Sequence, residues 1–324
     1  MKKKLFKLSI FASLLISAGV LIISCKKTDT TTPTTDTSTA SASDNNTAET
    51  QSTSLVSIGS QAIDNGSMQT MRTSAVNSFT ALSGSVTITP TDTVNRIITV
   101  LFNNFVGLDG HLRNGTVVFN YAGSAPHASW YRDSGLVLNV TTPGNTYTVD
   151  GNTIEVNTKT IKNLGRITSG NLTWNDNTNI TIIKAAGAGT IQWQCNRNTV
   201  LLNTGSYQFT ADDGTSNTTT YPGVFHGYGG GPLNYINWAQ AIVSFSGTFG
   251  GTASDGEVYT GSVSSSPLIL NFNCTPPYTR YLYVSGILTF TPTGKLTRTI
   301  NYGNGVCDLT FNVAIGSYNV NITL

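Results

Sequence analysis

Only three histidines are present, His111, His127 and His226, far apart on turn-like segments. None falls in HExxH, CxxC or HxH spacing, so their pattern does not build a zinc site. The Gly-x-Ser-x-Gly elbow of a serine hydrolase is missing as well. Glycoside hydrolysis would need two facing carboxylates, for which Asp109, Asp133, Glu155, Asp176, Asp255 and Glu257 are the candidates. Asp109 and Asp255 each precede a glycine and read more simply as turn residues. Asp212-Asp213-Gly214 is a single acidic turn, short of the six or more oxygens that calcium takes. These patterns point to a chain without a catalytic centre, metal or cofactor.

Recognition chemistry is better represented. Between Tyr221 and Trp238 the sequence interleaves glycines with Tyr221, Phe225, His226, Tyr228, Tyr235 and Trp238, and Trp130-Tyr131 forms a second aromatic cluster. Rings on a permissive backbone give large contact area at low entropy cost, which suits a polysaccharide or an envelope protein as partner. The competing reading is that Trp130, Trp174, Trp193 and Trp238 cap the core.

The N-terminus says where such chemistry would be placed. Lys2, Lys3, Lys4 and Lys7 precede an apolar run from Leu8 to Ile23, and Ile22-Ile23-Ser24 lead into Cys25. The run is too short for a comfortable membrane span, and its end resembles a lipobox. Residues 1–24 therefore read as a lipoprotein signal peptide and Cys25 as the lipidated first residue of an outer-membrane protein, with the leaflet left open. The alternative is a single transmembrane anchor. Residues 25–54 are rich in Thr, Ser, Ala, Asn and Asp, and read as a disordered tether reaching roughly 30 Å r.m.s.. Without the four signal lysines, 14 basic residues face 16 acidic ones. Because no basic patch remains, nucleic acid is excluded as a partner.

The elements that must position these residues are mostly strands. Residues 55–81 are expected to form one or two short helices, from Met68, Met71, Ala75 and Phe79 at helical spacing. Beyond Gly84 the period changes: short alternating segments rich in β-branched and aromatic residues include Arg96 to Phe102, Thr153 to Thr160, Thr190 to Gln194 and Ile287 to Thr291. Asp109-Gly110, Asn114-Gly115, Pro143-Gly144-Asn145, Asp150-Gly151, Asp213-Gly214, Asp255-Gly256 and Asn304-Gly305 supply turn chemistry between them. The expected fold is all-β, an antiparallel meander forming a β-sandwich or a strongly curved, barrel-like sheet over 82–324. An internal echo, Leu82 to Thr91 against Val284 to Thr293 with Arg96 meeting Arg298, points to two related halves. It puts the glycines at bulges or turns and the arginines on a solvated strand face.

Arg96 to Val117, RIITVLFNNFVGLDGHLRNGTV, and the C-terminal SGILTFTPTGKLTRTINYGNGVCD carry a resemblance. Asp109, Gly110, Arg113 and Gly115, then Ser285, Gly286, Leu288 and Thr289, then Tyr302, Gly303, Gly305, Cys307 and Asp308 resemble the motifs of a group of Bacteroidota cell-envelope lipoproteins with no assigned activity. The resemblance implies an envelope location and a β-rich fold, and carries over no catalytic residue, cofactor or substrate. Its members often hold a cysteine pair at the first copy of the motif, where this chain has Phe105 at the position equivalent to Cys307 and no cysteine near Leu82. Of the three cysteines after Cys25, Cys274 and Cys307 flank the hairpin from Val284 to Tyr302 and are the expected disulfide. Cys195 is left as a buried small hydrophobe or a reactive thiol. The functional expectation is an envelope-anchored, non-catalytic binding or adhesive module. The alternatives are a carbohydrate-active hydrolase, and a structural or lipid-carrying envelope protein.

Overall fold

Asp150 and Gly151 both take left-handed backbone angles, φ 51° and 80°. Two such residues in succession suit the tight turn that reverses one strand directly onto the next. In the computed structural model, which describes residues 36–68, 81–90, 96–107, 110–125, 135–168, 171–202, 207–210, 218–221, 225–227, 234–236, 242–271, 274, 283–308 and 310–323, that reversal is repeated throughout. Strands β1 (Ala81–Pro90), β2 (Ile97–Gly107), β3 (Leu112–Asn120), β4 (Val137–Thr141), β5 (Thr148–Val149), β6 (Asn152–Thr168), β7 (Asn171–Ile183) and β8 (Thr190–Leu201) form the first run. The second comprises β9 (Tyr207–Thr210), β10 (Thr218–Tyr221), β11 (Phe225–Gly227), β12 (Asn234–Ile236), β13 (Ile242–Thr252), β14 (Val258–Asn271), β15 (Tyr283–Pro292), β16 (Arg298–Asn304), β17 (Thr310–Ile315) and β18 (Tyr318–Thr323).

All but β9 to β12 belong to one 14-stranded sheet, in the order β1-β2-β3-β4-β6-β7-β8-β13-β14-β15-β16-β17-β18, with β5 clipped between β3 and β6. Every pairing is antiparallel. The all-β meander is as expected, and a single curved sheet, not a sandwich of two, is its form. Residues 37–324 make one compact unit. Both copies of the internal echo are hairpins, β1 with β2 and β15 with β16, yet Val86 faces Phe102 whereas its counterpart Leu288 faces Ile300. The ungapped repeat is therefore not preserved in strand register. Its glycines do sit where the ladders slip, Gly84 at φ 75° and Gly286 at φ 108°.

The arginines depart from expectation. Arg298 is wholly buried, donating to the Leu296 carbonyl at 2.6 Å and approaching Glu257 at 3.8 Å. Arg113 and Arg197 are also interior. Likewise Asn114-Gly115 lies inside β3 and makes no turn; a Cβ on Gly115 would come within 2.1 Å of the Thr146 carbonyl oxygen, so this close crossing requires glycine.

The largest correction concerns the N-terminal region. Among the described residues a single α-helix, α1 (Ala40–Met68, 29 residues), begins inside the segment read as tether and runs without a break into the part of 55–81 expected to be short helices. Residues 69–80, with Met71, Ala75 and Phe79, lie outside the described residues. From Ser41 to Val56 only Ser43 is exposed and Thr47 half-buried, the two being one turn apart; every other side chain is buried. A helix polar on nearly all faces is usually a solvated one. Here the sheet curves around it. The inward residues of β8, Ile191, Trp193, Cys195, Arg197, Thr199 and Leu201, alternate with exposed Thr190, Gln192, Gln194, Asn196 and Asn198.

Candidate functional site

The contact between α1 and the inner face of the sheet concentrates the ionisable groups of the described residues. Glu49 pairs through both carboxylate oxygens with the Arg197 guanidinium of β8, and the Tyr283 hydroxyl of β15 donates to Glu49 at 3.1 Å. Arg197 also lies 5.5 Å from the ring centre of Trp193 and 5.1 Å from that of Phe249. Burial pushes the Glu49 carboxyl up, against the pull of Arg197. One helical turn away Asp44 accepts from Lys184 Nζ at 2.9 Å and from the Ser254 hydroxyl at 2.6 Å. Asn45 accepts from the Trp193 indole at 3.0 Å, Asn46 from the Tyr302 hydroxyl at 3.0 Å, and Ser54 from Arg113 at 2.8 Å. Strands as distant in sheet order as β3 and β16 thus read the same helix. Each pair satisfies polar groups that would be costly to bury alone.

A second cluster sits where β6, β7 and α1 meet. Lys159 Nζ donates to Asp176 Oδ2 at 2.7 Å, to Thr178 Oγ1 at 2.7 Å and to Ser52 Oγ at 3.0 Å. Thr178 in turn donates to Asp176 Oδ1 at 2.6 Å. The Lys159 side chain is 0% exposed and that of Asp176 11%. Cys195 lies alongside, 4.0 Å from the Asp176 carbonyl oxygen, and burial pushes its thiol up to about 12. It is the buried, inert alternative of the two.

The four carboxylates considered for hydrolysis that lie within the described residues are engaged in other contacts. Asp176 belongs to this cluster, Glu155 accepts from Asn145 at 2.8 Å, Asp255 accepts from the Glu257 backbone at the β13–β14 turn, and Glu257 pairs with Lys295. At the β5–β6 turn Asp150 bonds His111 Nδ1 at 2.6 Å and the Leu112 amide at 2.9 Å. Partial burial works to raise its carboxyl, but these bonds hold it below the usual range. Among the described residues no group of three or more His, Cys, Asp or Glu could hold a metal ion.

Of the candidate binding residues, Tyr221 ends β10 opposite Tyr207, and His226 of β11 faces Tyr235 of β12 in the ladder. Tyr228, Trp238, Trp130 and Tyr131 lie outside the described residues, as do Cys25, His127, Asp109, Asp133, Asp212 and Asp213. Trp174 and Trp193 are core residues, 1% and 2% exposed. The Cys274–Cys307 disulfide is present, spanning 33 residues. Phe105, at the repeat position of Cys307, is buried and packs on Phe102 at 5.5 Å between ring centres.

The outward face was not singled out from the sequence. Asn175 donates to Asn196 at 2.9 Å and Asn198 at 3.2 Å; Asn157 to Asn179 at 2.9 Å and Thr181 at 3.0 Å; Thr160 to Asn139 at 2.8 Å; and Asn312 to Asn319 and Asn321. These ladders cover β4, β6, β7 and β8 and recur on β17 and β18. Their signal was available in the strand phase, because Asn and Gln alternate with Ile, Trp and Cys along β8. The same phase would have placed Arg197 inside. Compared with known proteins, the chain matches no family model, no curated protein and no solved structure.

Proposed function

We propose that this chain is an envelope lipoprotein, anchored through Cys25 to the outer membrane, whose β domain is a non-catalytic binding module for neutral polysaccharide. The outward amide ladders carry this reading. Asn side chains both donate and accept, so an ordered, uncharged array of them matches a hydroxyl-rich polymer and supplies no countercharge to a polyanion. The carboxylates Asp44, Glu49, Asp176 and Glu257 support the non-catalytic part, since each is occupied in holding lysine, arginine or the helix. The sheet interior that lipid carriage would use is taken by α1. The resemblance to Bacteroidota lipoproteins and the aromatic stretch from Tyr221 to Trp238 agree with the same assignment.

The test is binding of the full chain to a panel of neutral and acidic glycans and to purified envelope polysaccharide. Neutral glycans are expected to bind. Changing Asn175, Asn196 and Asn198 together to alanine should weaken binding about tenfold or more, the scale of a few lost hydrogen bonds. A companion variant, His226→Ala with Tyr235→Ala, assigns any share that belongs to the aromatic stretch. A folded wild-type chain that binds no glycan overturns the reading.

A further inference from the structure

The Lys159 cluster has more order than an ion pair requires. All three ammonium protons are placed, one of them on the carboxylate it faces, and Thr178 bridges the amine to the other oxygen of that same carboxylate. Lys159 and Asp176 are on neighbouring antiparallel strands, diagonal across the pairs Lys159–Thr178 and Ile161–Asp176, so neither side chain moves far from the other. Thr178, Ser52 and Cys195 around them are buried as well. We propose that Lys159 Nζ and Asp176 Cγ join in an intramolecular isopeptide bond, formed by the folded protein itself with loss of one water.

The step needs no partner from outside. One proton passes along the 2.7 Å contact from Nζ to Oδ2, leaving a neutral amine and a carboxylic acid. The amine lone pair then forms a bond to Cγ, which lies one bond beyond that oxygen. As nitrogen becomes positive it gives a second proton to Thr178 Oγ1, which passes its own proton to Oδ1 along the 2.6 Å contact. The Cγ–Oδ1 bond breaks while the proton on Oδ2 transfers to the departing hydroxyl. Water leaves, Oδ2 remains as the amide carbonyl oxygen, and the third ammonium proton remains on the amide nitrogen. Fixed contact makes the attack unimolecular, and the burial of Lys159, Thr178 and Ser52 around it hinders the reverse hydrolysis. Nothing is oxidised or reduced. The product ties β6 to β7 covalently beside the helix that fills the sheet.

Peptide mapping of the full chain isolated from the cell envelope tests this. After reduction and trypsin, the expected species is peptide 133–162, uncut after Lys159, joined to peptide 167–184 and lighter than their sum by one water. Lys159→Arg keeps the charge and should release 167–184 as a free peptide, with the Cys274–Cys307 bridge retained in a parallel unreduced digest reporting that the variant has folded. Thr178→Val should leave a large fraction unjoined, and full joining in that variant overturns the threonine relay. Cleavage of the wild-type chain at Lys159 with free 167–184 overturns the bond. So does a water lost elsewhere, as at Asp255-Gly256, with Lys159 still cleaved.

Discussion

Glu49 and Arg197 show how a buried charge is held in this fold. Each is desolvated, and each makes a bidentate contact that only the other satisfies, with Tyr283 and two aromatic rings closing the remaining sides. Replacing Glu49 by alanine strands the guanidinium in the interior. The expected cost is about 3–5 kcal/mol of unfolding free energy, read as a lowered midpoint in urea denaturation. Arg197→Met, which removes the charge and fills the space, should cost less when made together with Glu49→Leu than either single change. Part of this was readable from strand phase: Arg197 lies in step with Trp193, Cys195 and Leu201 and so points inward with them. The expectation of a solvated face for the repeated pair Arg96 and Arg298 fails at Arg298, which is buried in step with Ile300 and Tyr302, because period-2 alternation decides the face. The partner of Arg197 was not readable. Nothing local to Glu49 indicates that a residue 148 positions away faces it.

Among elements, strands and most turns were legible, and the helix only from residue 55 on, its part over 40–54 having the composition of a tether. Alternation, β-branching and glycine turns are local consequences of the backbone, and segments such as Thr153 to Thr160 and Thr190 to Gln194 lie on observed strands. α1 has the opposite character. Its sequence, ASASDNNTAETQSTSLVSIGSQAIDNGSM, is rich in Ser, Thr and Asn, which favour caps and turns, and it has no acidic residue in its first turn. By composition it belongs with disordered linkers. It is helical because the curved sheet supplies a partner for Asp44, Asn45, Asn46, Glu49, Ser52 and Ser54 in turn. A chain beginning at residue 55 therefore lacks the centre of its own interior. It is expected to lose cooperative thermal unfolding, whereas one beginning at residue 36 keeps it; circular dichroism on both decides this.

For the molecule as a whole, the placement of α1 changes what the N-terminal segment can do. If Cys25 carries the lipid, the 15 residues from Cys25 to Thr39 are all that separate it from the helix. Fully extended they reach at most about 50 Å. Cys25→Ser should move the protein from the detergent-requiring membrane fraction to the soluble one without lowering its thermal stability, since folding begins beyond that cysteine. A wild-type chain already soluble without detergent speaks against the anchor. The sequence by itself determined the all-β class, the antiparallel hairpins and the pairing of Cys274 with Cys307, because backbone period, turn chemistry and the flanking of one hairpin are short-range properties. Only the tertiary structure decided that one continuous sheet forms, that it curves around a polar helix, and that Lys159, Asp176 and Thr178 meet. Those outcomes rest on contacts between residues remote in the chain, where each polar group is stable inside only because another arrives to meet it.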